Sequence, residues 1–405
     1  MGLPKPLGPY HVSMADFQLP ANSQGICDTP LLRFYYPTTE KESRKNTSAN
    51  RWMPHFAYTW GYASKVIAPT SSFHRFLVWI LAGILYAYSW VCARIKASVA
   101  SQLLTIQGQN DQFPVVVFSH GLWACRTTYS ALCCDLASHG YVVVALEHLD
   151  GSANMASYVG KDGKRKWMEH KFSHIKYTIV PMQERIKQLN QRVAEVRRVV
   201  DVLESLNLGL LAQSANTITD ITRLDVTMFK GRLDLSHVAV SGHSFGGVTA
   251  VVAAGADARF CCCLALDAWL EPMTEENYEQ HAGNVPILLL NTEAFDWKAL
   301  RECRLKLLRK RETMSINGRS LVTELITIKG TRHQDQSDVN IIFPTIMKNF
   351  GLVGSMDLKL AKDINSRRCL AFLYKYLLPP GSGKPYVVDE VLEDYEHLLI
   401  SSKHC

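Results

Sequence analysis

The run Gly242-His243-Ser244-Phe245-Gly246-Gly247 constrains this chain more than any other stretch. It sets a serine in a G-x-S-x-G frame between two apolar segments. Val238-Ala239-Val240 upstream reads as a short buried strand, and the small, mostly apolar, proline-free segment Val248 to Ala254 downstream reads as a helix. A strand that turns abruptly into a helix crowds its own backbone, and glycines on either side relieve the crowding. Such a turn presents the Ser244 hydroxyl at the C-terminal edge of a sheet. It also aims the first N–H groups of the helix at an oxyanion forming beside it. The bland alternative is a glycine-rich turn without chemistry, so the nucleophile reading depends on finding the rest of a triad in a suitable chain order.

The surrounding pattern supplies a sheet for that serine. A strand is expected at Leu31 to Tyr36, ended by Pro37, in an otherwise irregular first seventy residues. From Pro114 the pattern becomes regular. Val115 to Phe118 is a strand ending at Ser119-His120-Gly121-Leu122, Thr127 to Ser138 a helix, and Tyr141 to Leu146 a strand followed by Glu147-His148. Met182 to Asn207 is a long amphipathic helix with a core stripe of Leu189, Val193, Val196, Val199, Val200 and Leu203. Cys262 to Leu266, Val285 to Leu290 and Leu325 to Ile328 complete the strands. Alternating strands and helices imply an α/β fold, a mostly parallel sheet with helices on both faces, and one domain over residues 1–405.

In such sheets chemistry collects beyond the C-terminal strand ends. Ser244, Asp267, Glu293 and His333 all fall there, in the order serine, acid, histidine that α/β-hydrolases use. A serine hydroxyl is a weak nucleophile, so His333 would take its proton and return it to the leaving group. Two carboxylates compete to orient that imidazole. Glu293 ends the strand before the histidine's, while Asp267 ends the strand after the serine helix in an apolar setting where an unpaired carboxylate is costly. Position leaves the choice open. His120 precedes Gly121-Leu122, where a backbone N–H would complete an oxyanion hole, and His148 lies too early in the chain to be the first choice of base.

Composition narrows the partners. The chain is 47% hydrophobic and 20% charged, which suits a sizeable core. A net charge of +7, without a dominant basic run, gives no sign of nucleic-acid binding and only a modest pull toward anionic surfaces. The 11 cysteines, including Cys133-Cys134 and Cys261-Cys262-Cys263, form neither a disulfide framework nor a C-x-x-C zinc pattern. Met1 to Pro6 lacks an apolar signal core, which points to a cytoplasmic location, and Pro6 weakens a myristoylation reading of Gly2. Asn46-Thr47-Ser48 is a sequon by letter and reads as a polar loop. Phe76 to Ala93 carries no charge between Arg75 and Arg94. It can lie in a membrane interface, span a bilayer or pack in a core, and its Trp and Tyr content favours the interface.

Several stretches together resemble the platelet-activating-factor acetylhydrolase family of plasma and type II intracellular enzymes. They are Arg33-Phe34-Tyr35-Tyr36-Pro37, Phe118-Ser119-His120-Gly121-Leu122, Arg126 to Ser130 and Asp135 to Gly140, then Gly242 to Gly247, Leu266-Asp267-Ala268-Trp269, Asn291-Thr292-Glu293 and His333-Gln334. The resemblance runs from about Leu31 to Leu378. It implies an α/β-hydrolase fold with Ser244 as nucleophile, Asp267 rather than Glu293 as acid, and His333 as base. The backbone N–H groups of Leu122 and Phe245 would form the oxyanion hole. The implied reaction is calcium-independent hydrolysis of a short sn-2 acyl ester of a phospholipid at a membrane or lipoprotein surface, with no metal and no cofactor needed. Phe76 to Ala93 would be one apolar contact and Ile341-Ile342-Phe343 a candidate for a second, unless it is a buried turn. Two departures stand out. Trp123 replaces a small glycine after the oxyanion leucine, and Glu147-His148-Leu149-Asp150-Gly151-Ser152 lacks the two arginines of the family's run, which leaves headgroup contacts open. A general lipase or carboxylesterase and a non-catalytic lipid-binding relative are the competing readings.

Overall fold

A computed structural model describes residues 2–21, 29–41, 50–106, 111–160, 162–171, 180–219, 222–316, 319–378 and 394–402. The Asn46 sequon lies outside the described residues. The strands in chain order are β1 (His11–Phe17), β2 (Leu31–Thr38), β3 (Ser98–Val99), β4 (Phe113–Ser119), β5 (Val142–Glu147), β6 (Met155–Val159) and β7 (Arg165–Glu169). They continue with β8 (Leu233–His243), β9 (Phe260–Leu266), β10 (Ile287–Thr292), β11 (Ser315–Ile316), β12 (Arg319–Ser320), β13 (Thr323–Ile328) and β14 (Leu399–Ser402). Ten of them form one sheet in the order β14-β13-β10-β9-β8-β4-β5-β2-β1-β3. The run from β13 to β5 is parallel, while β14, β2 and the β1–β2 pair add antiparallel edges.

The central strands are apolar without interruption because both their faces are covered. Val115, Val117, Val142, Val144, Val238 and Val240 point to one side, into a core shared with helices α4 (Met182–Asn207) and α5 (Phe245–Ala256). Val116, Phe118, Val143, Ala145 and Ala239 point to the other, against α3 (Ser130–Ala137) and α10 (Leu358–Tyr376). Successive residues of one strand thus feed two separate cores. The structure bears out the mostly parallel α/β sheet with helices on both faces.

Three features depart from the pattern reading. The first hundred residues contribute β1 and β3, which continue the sheet beyond β2. Their sequences hide this: β1 carries Ser13 and Asp16, and the buried Asp16 is paired with Arg33 on β2, which donates to both its oxygens at 2.7 Å, and with Arg126 at 3.3 Å. Strand β2 also continues through Pro37 to Thr38. Pairing with β5 ends at Tyr35, so the proline meets only β1, opposite Val12, and needs no N–H toward β5. Finally, the β6–β7 hairpin and the short edge strand β14 carry no clean alternation.

The apolar segment is a 21-residue helix, α2 (Ser72–Cys92), capped by the Ser71 hydroxyl and packed beside α1 (Phe56–Val66). It is long and apolar enough to cross a membrane, yet only 17% of its apolar window is buried, which removes the core reading. Val78 and Ala82 face Ala63 of α1, while Phe73, Phe76, Trp79, Ile84 and Val91 are each more than half exposed. Ile342 and Phe343, by contrast, are buried: Tyr88 donates to the Ile342 carbonyl at 2.9 Å and stacks on Phe343. The buried-turn reading of that segment therefore holds for Ile342 and Phe343, and the exposed apolar surface lies slightly onward, at Ile346, Phe350 and Leu352.

Candidate active site

Strand β8 meets helix α5 at Ser244, whose backbone holds φ 60° and ψ −118°. A side-chain-bearing residue keeps that conformation only where its surroundings enforce it. Here the enforcement is close backbone packing. A Cβ on Gly242 would lie 2.1 Å from the Gly246 carbonyl oxygen, and one on Gly246 would lie 2.0 Å from the Ser119 carbonyl oxygen. The Ser244 N–H donates to the Leu266 carbonyl and its own carbonyl accepts from Trp269, which ties the turn to the end of β9. Among the described residues four non-glycines have positive φ, and three of them, Trp123, Ser244 and Asp267, gather here.

Asp267 is buried at the end of β9. Its carboxylate accepts from the Thr292 N–H and hydroxyl, both at 2.6 Å, and from His333 Nδ1 at 2.9 Å. Three donors suit an ionised, acceptor-only group. Burial nevertheless pushes Asp267 up to about 7, against the opposing pull of His243, Thr292 and Arg304. Burial also pushes His333 down to about 3, so at neutral pH the imidazole is uncharged and its Nε2 can accept a proton. The ring is held between Phe295, stacked at 3.8 Å, and His243, whose centroid is 4.3 Å away. Glu293 is elsewhere engaged: its carboxylate accepts from the Gly330 N–H at 2.7 Å and holds the loop leading to His333. The geometry therefore pairs His333 with Asp267. Among the described residues no hydrogen bond joins Ser244 Oγ to His333, although both line one pocket; such contacts often close only when substrate binds.

Leu122 and Phe245 carry N–H groups that have no acceptor among the described residues. Phe245 opens α5, where an N–H lacks an intrahelical partner. Gly121 beside Leu122 is fixed by the Tyr129 hydroxyl, which also bonds His243 Nδ1, while His243 Nε2 meets the His333 carbonyl. Arg192 from α4 donates to the His120 carbonyl at 2.5 Å and to Asp150 at 2.9 Å, and its guanidinium lies 4.6 Å from the Phe245 ring. These contacts fix the residues that flank the Leu122 N–H and the side chain of Phe245.

The pocket has a volume of ≈ 450 Å³ and is lined by Ser244, Leu122, Trp123, Trp269, Phe295, Trp297 and His333, with Lys65 and Glu271. A larger open depression beside Pro20, Gly160 and Arg223 contains none of the three triad residues. His243, Asp267 and His333 are the one group among the described residues whose ligating atoms approach closely enough for a metal, within 4.8 Å. Those atoms are engaged with Tyr129, Thr292, the His333 carbonyl and one another, which leaves the set committed to hydrogen bonding.

Comparison with known proteins gives the family and the fold. Residues 1–379 match the family described as platelet-activating factor acetylhydrolase, isoform II. The chain belongs to this family. It is 32% identical over 382 residues to the platelet-activating factor acetylhydrolase of Canis lupus familiaris, covering 93% of this chain and 77% of the relative. The Bos taurus protein of the same name is 30% identical over 410 residues, covering 98% of this chain and 82% of the relative. A ferulic acid esterase from Streptomyces cinnamoneus shares the fold, with a TM-score of 0.64 at 18% identity over 100% of this chain and 99% of the other.

Within this family member, the departures noted in the sequence take on shape. Trp123 does not swing freely beside the serine; it is buried, with its ring stacked on His170 at 3.8 Å. The run Glu147 to Ser152 makes no surface contact, because every residue in it is buried. Asp150 and Ser152 there are bonded by Arg192, and Glu147 by Arg126 and Tyr58. Sequence reading did not single out Thr292, His243, Tyr129 or Arg192. Thr292 was closest to legible, as a hydroxyl at a strand end; the others act through partners distant in the chain.

Proposed function

We propose that one α/β-hydrolase domain, carrying α2 as an apolar contact segment, hydrolyses the short sn-2 acyl ester of platelet-activating factor and related phospholipids. The observation that supports this most is the buried Thr292–Asp267–His333 chain of hydrogen bonds, ending in a pocket that also holds Ser244. Ser244 Oγ attacks the ester carbonyl as His333 Nε2 takes its proton. Leu122 and Phe245 N–H groups receive the oxyanion, and Asp267 stabilises the imidazolium. The sn-2 oxygen leaves with that proton as lysophospholipid. Water, deprotonated by His333, then attacks the acyl-enzyme and frees acetate and Ser244. Nucleophile, base and oxyanion donors all come from the chain, so the proposed reaction draws on no calcium.

The exposed face of α2 supports peripheral attachment to a lipid surface, with Ile346 and Phe350 as a neighbouring contact. Nine cysteines among the described residues are free thiols, which fits a reducing, cytoplasmic setting. Carbonate extraction should release the protein from membranes; retention would support a spanning helix instead. The catalytic reading is tested with a fluorophosphonate probe, which should label the wild type and not Ser244→Ala. No labelling of an intact protein would favour the lipid-binding alternative, and equal rates from acetyl to palmitoyl esters would favour a general esterase.

A further inference from the structure

The pocket wall around His333 and Trp123 carries two opposite charges, Glu271 and Lys65, and an aromatic face that the esterase chemistry does not use. Trp297 is the N-cap residue of helix α7 (Lys298–Glu312), is exposed, and is nonetheless fixed, because its indole N–H donates to Glu271 at 2.6 Å. Phe295 packs edge-on to it at 4.8 Å and is itself stacked on His333. The aromatic path therefore runs outward from the imidazole. Lys65 of α1 reaches the same pocket, with its ammonium 5.4 Å from the Trp123 ring centre. Neither Lys65 nor Glu271 has an ion-pair partner among the described residues.

Direction decides what these groups meet. In sn-2 ester cleavage the acyl group stays on Ser244, and His333 protonates the departing glycerol oxygen. The headgroup is attached to that departing glycerol, so it lies on the His333 side of the pocket. We propose that Glu271, Trp297 and Lys65 form a subsite for a zwitterionic phosphate–quaternary ammonium headgroup. The indole face and the remaining Glu271 carboxylate oxygen take the quaternary ammonium, whose spread charge suits an aromatic surface. Lys65 takes the phosphate as a point charge. A buried or salt-paired wall would offer neither. This rests on the sn-2 esterase reading above and adds its headgroup selectivity.

The test measures kcat/KM on monomeric 1-alkyl-2-acetyl glycerolipids bearing phosphocholine, bare phosphate or no headgroup, with active sites counted by fluorophosphonate labelling. Glu271→Gln and Trp297→Ala should each lower the phosphocholine-to-bare-phosphate ratio about fivefold, the scale of about 1 kcal/mol for a cation–aromatic contact at an exposed site. Trp297→Phe should restore part of it. Lys65→Gln should lower both phosphate-bearing lipids together relative to the headgroup-free lipid. Ratios within about twofold of wild type in these variants, a spread too small for a lost cation–aromatic contact, overturn the subsite while leaving the esterase reading standing. A wild type that neither labels nor cleaves any of the lipids overturns both.

Discussion

Thr292→Val isolates the most unusual feature of the site, a fully buried acid whose ionisation depends on a few donors. The substitution keeps the side chain's shape and removes one hydroxyl donor, at 2.6 Å from Asp267 Oδ2. The Thr292 N–H at 2.6 Å and His333 Nδ1 at 2.9 Å remain. A hydrogen bond to a charged group is worth about 1.5–3 kcal/mol, which corresponds to about one to two pH units. The shift is upward, because burial already disfavours the carboxylate and the lost donor had opposed it. Asp267 stands at about 7 in the intact site. Activity needs the ionised acid, so the acid limb of kcat/KM moves toward alkali, and the rate at pH 7 falls about 5- to 50-fold. It recovers toward wild type above about pH 9. The assay is a pH–rate profile of acetate release. A uniform loss at every pH, with the acid limb unmoved, would refute the reasoning.

Gly246→Ala should cut fluorophosphonate labelling on the order of 100-fold, because the added Cβ would lie 2.0 Å from the Ser119 carbonyl oxygen and must displace the serine or the end of β4; normal labelling would contradict that packing. Changing Phe76, Trp79 and Ile84 together to serine should weaken vesicle binding about 100-fold, taking about 1 kcal/mol per partly exposed side chain. Unchanged cosedimentation would show that α2 does not meet lipid. His170 is held at about 3 by burial and by Arg185, Lys65 and Arg192. Its folded-state value lies below the unfolded one, so the unfolded chain binds more protons as pH falls and stability drops below about pH 6.5. Relative to His170→Phe, the wild type should lose about 2 kcal/mol of unfolding free energy between pH 7 and pH 5. A constant difference across that range in urea titrations would count against it.

How far the sequence reached depended on where each residue's partner lies. Strands such as Val115 to Phe118 are buried on both faces, so their burial is written in their own letters. Asp16 in β1 is polar by letter, and its partners Arg33 and Arg126, distant in the chain, make it a core residue. The same rule governs the site. Gly242 to Gly247 announced itself because the glycines that permit the turn stand beside Ser244 in the chain, although the backbone they pack against comes from β4 and the end of β9. Asp267 and Glu293 both end adjacent strands, and only the three-dimensional arrangement, with His333 on one and Gly330 on the other, separates them. Arg192 reads as one charge on an amphipathic helix, yet it reaches the His120 carbonyl and the Phe245 ring. For α2 the letters gave apolarity, and packing alone showed that its apolar face is bare.

The most direct measurement is acetate release from a 1-alkyl-2-acetyl phosphocholine lipid, run beside a series of longer sn-2 esters on wild type and Ser244→Ala. The account predicts release that is fastest for acetyl, falls with acyl length, and vanishes in the variant. Release that persists without the Ser244 hydroxyl would contradict it.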